Sequence, residues 1–372
     1  MERTPTGDRR RRRQVLGGIG AVGITALAGC LEGSGMPAGS TDEEVDDDDA
    51  ADVNDGPPTV ERSIPEAYSI DRLNEESMSG GPGPDGIPSI DDPRFTAADD
   101  PPANLDGGDP VFGVEFDGEA KAYPQYILVW HEIVNDVVGD ESVAVTYCPL
   151  TGTAQGFYRG ASEFGVSGRL INSNLVMFDR GTDSWWPQML PVGISGPHEG
   201  AYLEEFQVIW TTWDRWRDQY PETTVLTEET GHARDYGSDP YGEYNPPSGY
   251  YDNERTLFPP LASDDRFPRK EVVIGARNAD GAMAVPKDAL RERTVIEGTV
   301  DGTPYATVYD EALDTGYVYR NPDDTSVEPD GDTFLVDGET HAPDALPLDR
   351  EIGFDAMWFA WYGYYPSTEV HE

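Results

Sequence analysis

The stretch Val111-Phe-Gly-Val-Glu-Phe-Asp-Gly-Glu-Ala-Lys-Ala-Tyr-Pro124 aligns without a gap on Val273-Ile-Gly-Ala-Arg-Asn-Ala-Asp-Gly-Ala-Met-Ala-Val-Pro286. Apolar alternation on both sides of Asp117-Gly118 predicts a hairpin, because that dipeptide accepts the left-handed backbone of a tight turn. The correspondence continues. Val145-Thr-Tyr147 falls on Thr307-Val-Tyr309, and Gly156-Phe-Tyr-Arg159 answers Gly316-Tyr-Val-Tyr-Arg320 with about one residue of slippage. Trp213 to Val225 resembles Trp358 to Val370. Similar segments in the same order predict an internal duplication.

Within each copy, Pro124-Gln-Tyr-Ile-Leu-Val or Pro286-Lys-Asp-Ala-Leu-Arg suits a short helix with proline in its first turn. Glu132 to Val138 and Ser142 to Tyr147 then form a second strand pair, mirrored by Val295 to Val300 and Pro304 to Tyr309 around Asp301-Gly302. Thr211-Thr-Trp-Asp-Arg-Trp predicts a closing helix with a threonine cap. The expected fold is α+β and β-rich, two related halves of antiparallel hairpins, each closed by a short helix.

The second hairpin carries the functional argument. If Gly139-Asp140 is its two-residue turn, the register extended outward sets His131 opposite Cys148. Opposed Cβ atoms lie about 4.5–5.5 Å apart, near enough for a thiol and an imidazole to share a hydrogen bond or a metal ion. The corresponding pair in the other half is Arg293 and Asp310, read as an ion pair. The first half is therefore expected to hold the site and the second to be its scaffold.

Cys148 is the only cysteine besides Cys30. As a nucleophile it would have its pKa lowered by His131, with Asn172 or Asp179 orienting the imidazole and Arg180 and Trp185 positioning substrate. As ligands, the same cysteine and histidine suit copper or zinc. Glu132 follows His131 and is expected on the opposite face of a regular strand. His198 lies in a Gly-Pro-His-Glu-Gly segment read as a solvated turn, and His232, His341 and His371 show no ligand spacing.

The 372 residues carry 71 acidic and 26 basic side chains, a formal charge of -45, which repels phosphate backbones and excludes nucleic acid as a partner. Only Lys121, Lys270 and Lys287 are lysines. Such an acidic, lysine-poor surface suits molar salt, where the Debye length shrinks to about 3 Å. Hydrophobic residues at 37% supply enough apolar surface for a substantial core.

Arg9 to Arg13, with Arg12-Arg13-Gln-Val-Leu16, precedes the apolar stretch Val15 to Ala28, which is too short to span a membrane. Leu27-Ala-Gly-Cys30 completes a lipobox. Residues 1–29 are expected to be a twin-arginine lipoprotein signal, with lipid on Cys30 anchoring the chain to the membrane on its extracellular face. Next come an acidic disordered tether (30–62), an N-terminal arm (63–88), the first half (89–231), a connector (232–264) and the second half (265–372). The connector holds Tyr236, Tyr241, Tyr244, Tyr250 and Tyr251, and is expected either to pack across the halves or to stack against a ligand.

The runs Ala122-Tyr-Pro, Trp130-His-Glu-Ile-Val-Asn-Asp136, Thr146-Tyr-Cys-Pro-Leu150, Ser167-Gly-Arg-Leu, Met177-Phe-Asp-Arg180 and Trp185-Trp-Pro-Gln188 together resemble Domain of Unknown Function 3179, from roughly Ile90 to the C-terminus. The acidity is similar to that of haloarchaeal secreted proteins. The resemblance implies an extracytoplasmic, often lipid-anchored location and brings no activity, substrate or cofactor. Many relatives have a second cysteine where this chain has Thr151, so a dithiol redox cycle is not expected here. Three readings follow: a thiol-dependent acyl-transfer or hydrolytic centre, a copper or zinc protein, or a non-catalytic module holding a small-molecule or cell-surface ligand.

Overall fold

The computed structural model describes residues 55–372. The expected signal, Cys30 and most of the tether lie outside the described residues. The opening stretch forms the strands Pro110–Phe116 and Glu119–Pro124, with Phe116 opposite Glu119. Asp117 and Gly118 both take positive φ, as the turn requires. Pro124 ends its strand and occupies the N-cap of the helix Gln125–Leu128, where its missing N–H leaves nothing unsatisfied. Val272–Asn278, Gly281–Pro286 and the helix Lys287–Arg293 repeat the sequence of elements.

In the second hairpin, Ile133–Val138 pairs with Glu141–Cys148, and Val138 opposite Glu141 leaves Gly139-Asp140 as the turn. Val295–Val300 pairs with Thr303–Asp310 in the same way, Val300 facing Thr303. Thr153–Tyr158 and Glu205–Phe206 extend the first of these into a four-stranded sheet. The pairings are antiparallel, apart from Thr224–Leu226 beside Glu119–Pro124, Glu369–Val370 beside Gly281–Pro286, and a bridge between Ile90 and Val134. The chain is β-rich, with few and short helices.

The helices Trp213–Gln219 and Trp358–Tyr364 pack against these sheets through tryptophan. Thr212 stands at the first helix's N-cap, although its hydroxyl makes no capping bond. A Cβ at Gly113 would fall inside the Trp216 ring, and one at Gly275 inside the Trp361 ring, so glycine is required at both for close approach. Each indole N–H donates to a threonine hydroxyl at 2.9 Å, Trp216 to Thr223 and Trp361 to Thr368.

One hydrophobic cluster joins Cys148, Leu150, Phe157 and Trp186 to Phe354, Met357, Trp358 and Trp361, so residues 89–231 and 265–372 bury apolar surface against each other. Arg277 and Glu205 form a fully buried ion pair at 2.7 Å across the same boundary. The connector packs onto the first-half strands. Tyr236, Tyr250 and Tyr251 are buried, and the Tyr250 hydroxyl donates to the Leu150 carbonyl at 2.8 Å.

The N-terminal side is ordered earlier than its composition indicates. Thr59–Val60 pairs with Tyr202–Leu203, and Arg62 pairs with buried Glu205, so the tether does not run through residue 62. A strand partner and a buried carboxylate fix residues whose own composition favours disorder. The arm continues through the helix Ile70–Glu76, capped by the Ser69 hydroxyl, to the segment Gly80 to Ile87.

Candidate functional site

The ladder of the second hairpin stops at Ile133, two residues short of His131. The amides of both His131 and Glu132 donate to the Leu128 carbonyl, at 3.2 and 2.7 Å, closing the preceding helix. Glu132 takes the left-handed conformation with φ 60°, and its carbonyl accepts the Tyr147 amide at 2.7 Å. A left-handed residue costs a non-glycine side chain about 1 kcal/mol or more. It also breaks the alternation on which the expected His131–Cys148 contact depends.

His131 consequently turns away. Its Nδ1 lies 2.8 Å from the Pro88 carbonyl, which only accepts, so Nδ1 carries the proton. Nε2 then accepts from the Tyr236 hydroxyl at 2.7 Å, and Tyr236 accepts from Thr230 at 2.6 Å. Burial pulls the imidazole down to about 4, leaving it neutral. With both ring nitrogens engaged, His131 is neither the base of Cys148 nor its co-ligand for copper or zinc. Among the described residues no group of three or more His, Cys, Asp or Glu side chains is placed to hold a metal ion.

The second half has the same junction. Thr294 has φ 66° and its carbonyl accepts the Tyr309 amide at 2.8 Å. Arg293 donates to the Glu372 carbonyl, while Asp310 accepts the amides of Ala312 and Leu313, so the expected ion pair between them does not form.

Glu132 takes the place expected of His131. Its side chain is 7% exposed, and its carboxyl has no hydrogen-bond or ion-pair partner among the described residues. Burial alone pushes it up to about 8, so it is largely protonated at neutral pH. It lines a cavity of about 360 Å³ with Leu150, Leu175, Tyr241, Ile87, Phe258 and Arg169. The arm supplies one wall, the connector another, and the strand ends of the first half the floor.

Cys148 lies beneath this floor, 1% exposed, with its Sγ 3.7 Å from the Ser173 carbonyl. Burial, and then the charge of Glu132, raise its thiol to about 11, while the Thr151 hydroxyl and the Leu175 amide act in the opposite direction. Tyr241 has its hydroxyl pKa raised by burial, then by both Glu132 and Cys148, which places the three groups in one electrostatic neighbourhood. The Thr151 hydroxyl accepts from the Asn174 Nδ2 at 3.1 Å.

The remaining expected site residues are structural. Asn172 is buried and clamps the core, its Nδ2 donating to the Ala360 carbonyl and its Oδ1 accepting the Leu261 amide. Asp179 is buried and accepts from the Thr182 amide and hydroxyl and from the Trp186 indole. Neither touches His131. Arg180 pairs with Asp85, Asp91 and Glu163, and Trp185 lies under the Arg169 guanidinium at 5.7 Å. Neither lines the Glu132 cavity. His198 is not a solvated turn residue: it is buried against Trp186, and its amide donates to the Ser184 hydroxyl.

Sequence reasoning missed Glu132 because only glycine or asparagine announces a left-handed helix end. The available signal was the junction itself, a helix ending at Leu128 and a strand beginning at Ile133 with only four residues between them to reverse the chain.

A family profile described as a protein of unknown function, DUF3179, matches residues 84–368. No curated protein and no solved structure matches the chain.

Proposed function

Since the chain belongs to the DUF3179 family, whose description carries no activity, we propose a function from the site itself: an acid–base centre in which Glu132 serves Cys148 in acyl transfer or hydrolysis. The observation that carries this reading is the unpartnered, buried Glu132 carboxyl facing a cavity beside the only thiol of the described residues. Such a group has no structural bond to explain its burial.

In the proposed reaction the Cys148 sulfur attacks an acyl carbonyl as its proton passes to Glu132 in its ionised form, the minor form at neutral pH. Glu132 returns that proton to the leaving alcohol or thiol, then takes one from the water that hydrolyses the thioester and delivers it to the departing Cys148 sulfur, which restores the thiol. Moving the proton from the thiol to the carboxyl is uphill by at most roughly 4 kcal/mol, because the transfer also removes the Glu132 charge that helps raise the thiol, and this is small beside the barriers enzymes lower. The predominantly apolar lining favours an acyl group with a hydrocarbon body. A non-catalytic ligand-binding role is the second reading, favoured by the depth at which Cys148 lies.

The test is mass spectrometry of the protein in molar potassium chloride with a medium-chain p-nitrophenyl ester. A thioester on Cys148, lost in Cys148→Ser and slowed at least tenfold in Glu132→Gln, supports catalysis; release of p-nitrophenol unchanged by both substitutions excludes it.

The wider setting is proposed on the sequence: a salt-adapted protein exported through its twin-arginine signal and anchored by lipid on Cys30 to the extracellular face of the membrane. An internal duplication accounts for the recurrent hairpins, the left-handed Glu132 and Thr294, and the glycine–tryptophan contacts.

A further inference from the structure

We propose that a second cavity, bordered by the connector and the strand Val272–Asn278, takes an uncharged, hydroxylated aldehyde or ketone and that Lys270 Nζ forms an imine with its carbonyl carbon.

The cavity measures about 370 Å³, large enough for a small molecule, and is separate from the Glu132 cavity. The three lysines of this acidic chain are not equivalent. Lys121 pairs with Asp136 at 3.1 Å and Lys287 with Asp355 at 2.6 Å. Among the described residues Lys270 alone of them has no carboxylate within ion-pair distance. Its Nζ instead donates to the Tyr250 carbonyl and rests 3.3 Å from the centre of the Tyr250 ring. Burial draws it down to about 8, so an appreciable fraction is the free amine at neutral pH.

The lining chooses the ligand. Glu271, Asp288, Asp314 and Asp355 outnumber Lys270, Lys287 and Arg291, which disfavours an anionic ligand and supplies acceptors for hydroxyl groups. Trp210 and Tyr244 contribute aromatic surface. The amine lone pair attacks the carbonyl carbon to give a carbinolamine. That intermediate loses its hydroxyl with a proton as water, leaving a carbon–nitrogen double bond. Glu271, in the same lining, delivers the proton that lets hydroxide leave and recovers one from nitrogen.

The test uses the full chain in molar potassium chloride with glycolaldehyde and cyanoborohydride, which reduces an imine to a stable amine. The expected result is an adduct mapped to Lys270, formed about tenfold faster than on an unstructured peptide lysine. Glyoxylate, the acidic analogue, should react more slowly than glycolaldehyde at this residue. Lys270→Arg, which keeps the charge and the ring contact, should lose the adduct with an unchanged thermal midpoint. Should that variant not fold, Glu271→Gln should slow labelling at least threefold. Labelling of Lys270 no faster than the peptide, or faster with glyoxylate, overturns the proposal, as does a rate unaffected by Glu271→Gln.

Discussion

The carbonyl of Glu132 accepts the amide of Tyr147 at 2.7 Å, directly outside the regular ladder that Ile133 begins. This bond lets the left-handed residue continue the sheet's hydrogen bonding while reversing which side chain faces Cys148. A carboxyl, and not an imidazole, is delivered to the cavity.

Glu132 makes stability depend on pH in a definite direction. The folded carboxyl titrates at about 8 against an ordinary 4.5, so the folded chain holds the proton more tightly. The contribution is complete below about 4.5 and is lost as pH rises through about 8, by roughly 3–5 kcal/mol in all. Glu132→Gln should flatten this slope and be the more stable protein above pH 8. Urea unfolding of both chains between pH 5 and 9, at constant molar salt, measures the difference.

Glu205 sits between Arg62 and Arg277, and the Arg277 side chain is fully buried. Glu205→Gln leaves a buried guanidinium without its counter-charge and should cost about 3–5 kcal/mol. Arg62→Gln, at the partly exposed partner, should cost under about 1 kcal/mol. Denaturant midpoints of the two variants should differ accordingly.

Gly113 and Gly275 meet Trp216 and Trp361 so closely that a methyl group has no space. Gly113→Ala and Gly275→Ala should each destabilise by about 1–3 kcal/mol through forced repacking. Thermal unfolding should show similar losses for both, because the contacts are alike.

Tyr236→Phe removes the hydroxyl that donates to His131 Nε2 and leaves a buried acceptor unpaired. The expected loss is about 1–3 kcal/mol. The titration of Glu132, followed by infrared absorption of its carboxyl, should not move.

Much of the fold was legible because short-range chemistry determines it. Asp117-Gly118 and Gly139-Asp140 fix two registers, and Pro124 and Pro286 stand where a strand gives way to a helix. Cys148 was found for the same reason, as a lone thiol at a strand end. His131 was misplaced by two residues of extrapolation across a junction where backbone bonds, and not alternation, decide direction. Asn172 and Asp179 look chemical in sequence because amides and carboxylates also satisfy buried main-chain groups, and here they do so. The cavity itself arises from segments far apart in the chain, Ile87, Glu132 and Phe258, which no local pattern brings together.

The central claim is that Glu132, and not His131, governs the Cys148 thiol. Its most direct measurement is the thiol's pKa, taken from the pH dependence of alkylation by iodoacetamide in the parent chain, Glu132→Gln and His131→Gln. The account predicts about 11 in the parent, a fall in Glu132→Gln as the raising charge is removed, and no fall in His131→Gln. A thiol unaffected by Glu132→Gln and shifted by His131→Gln would contradict it.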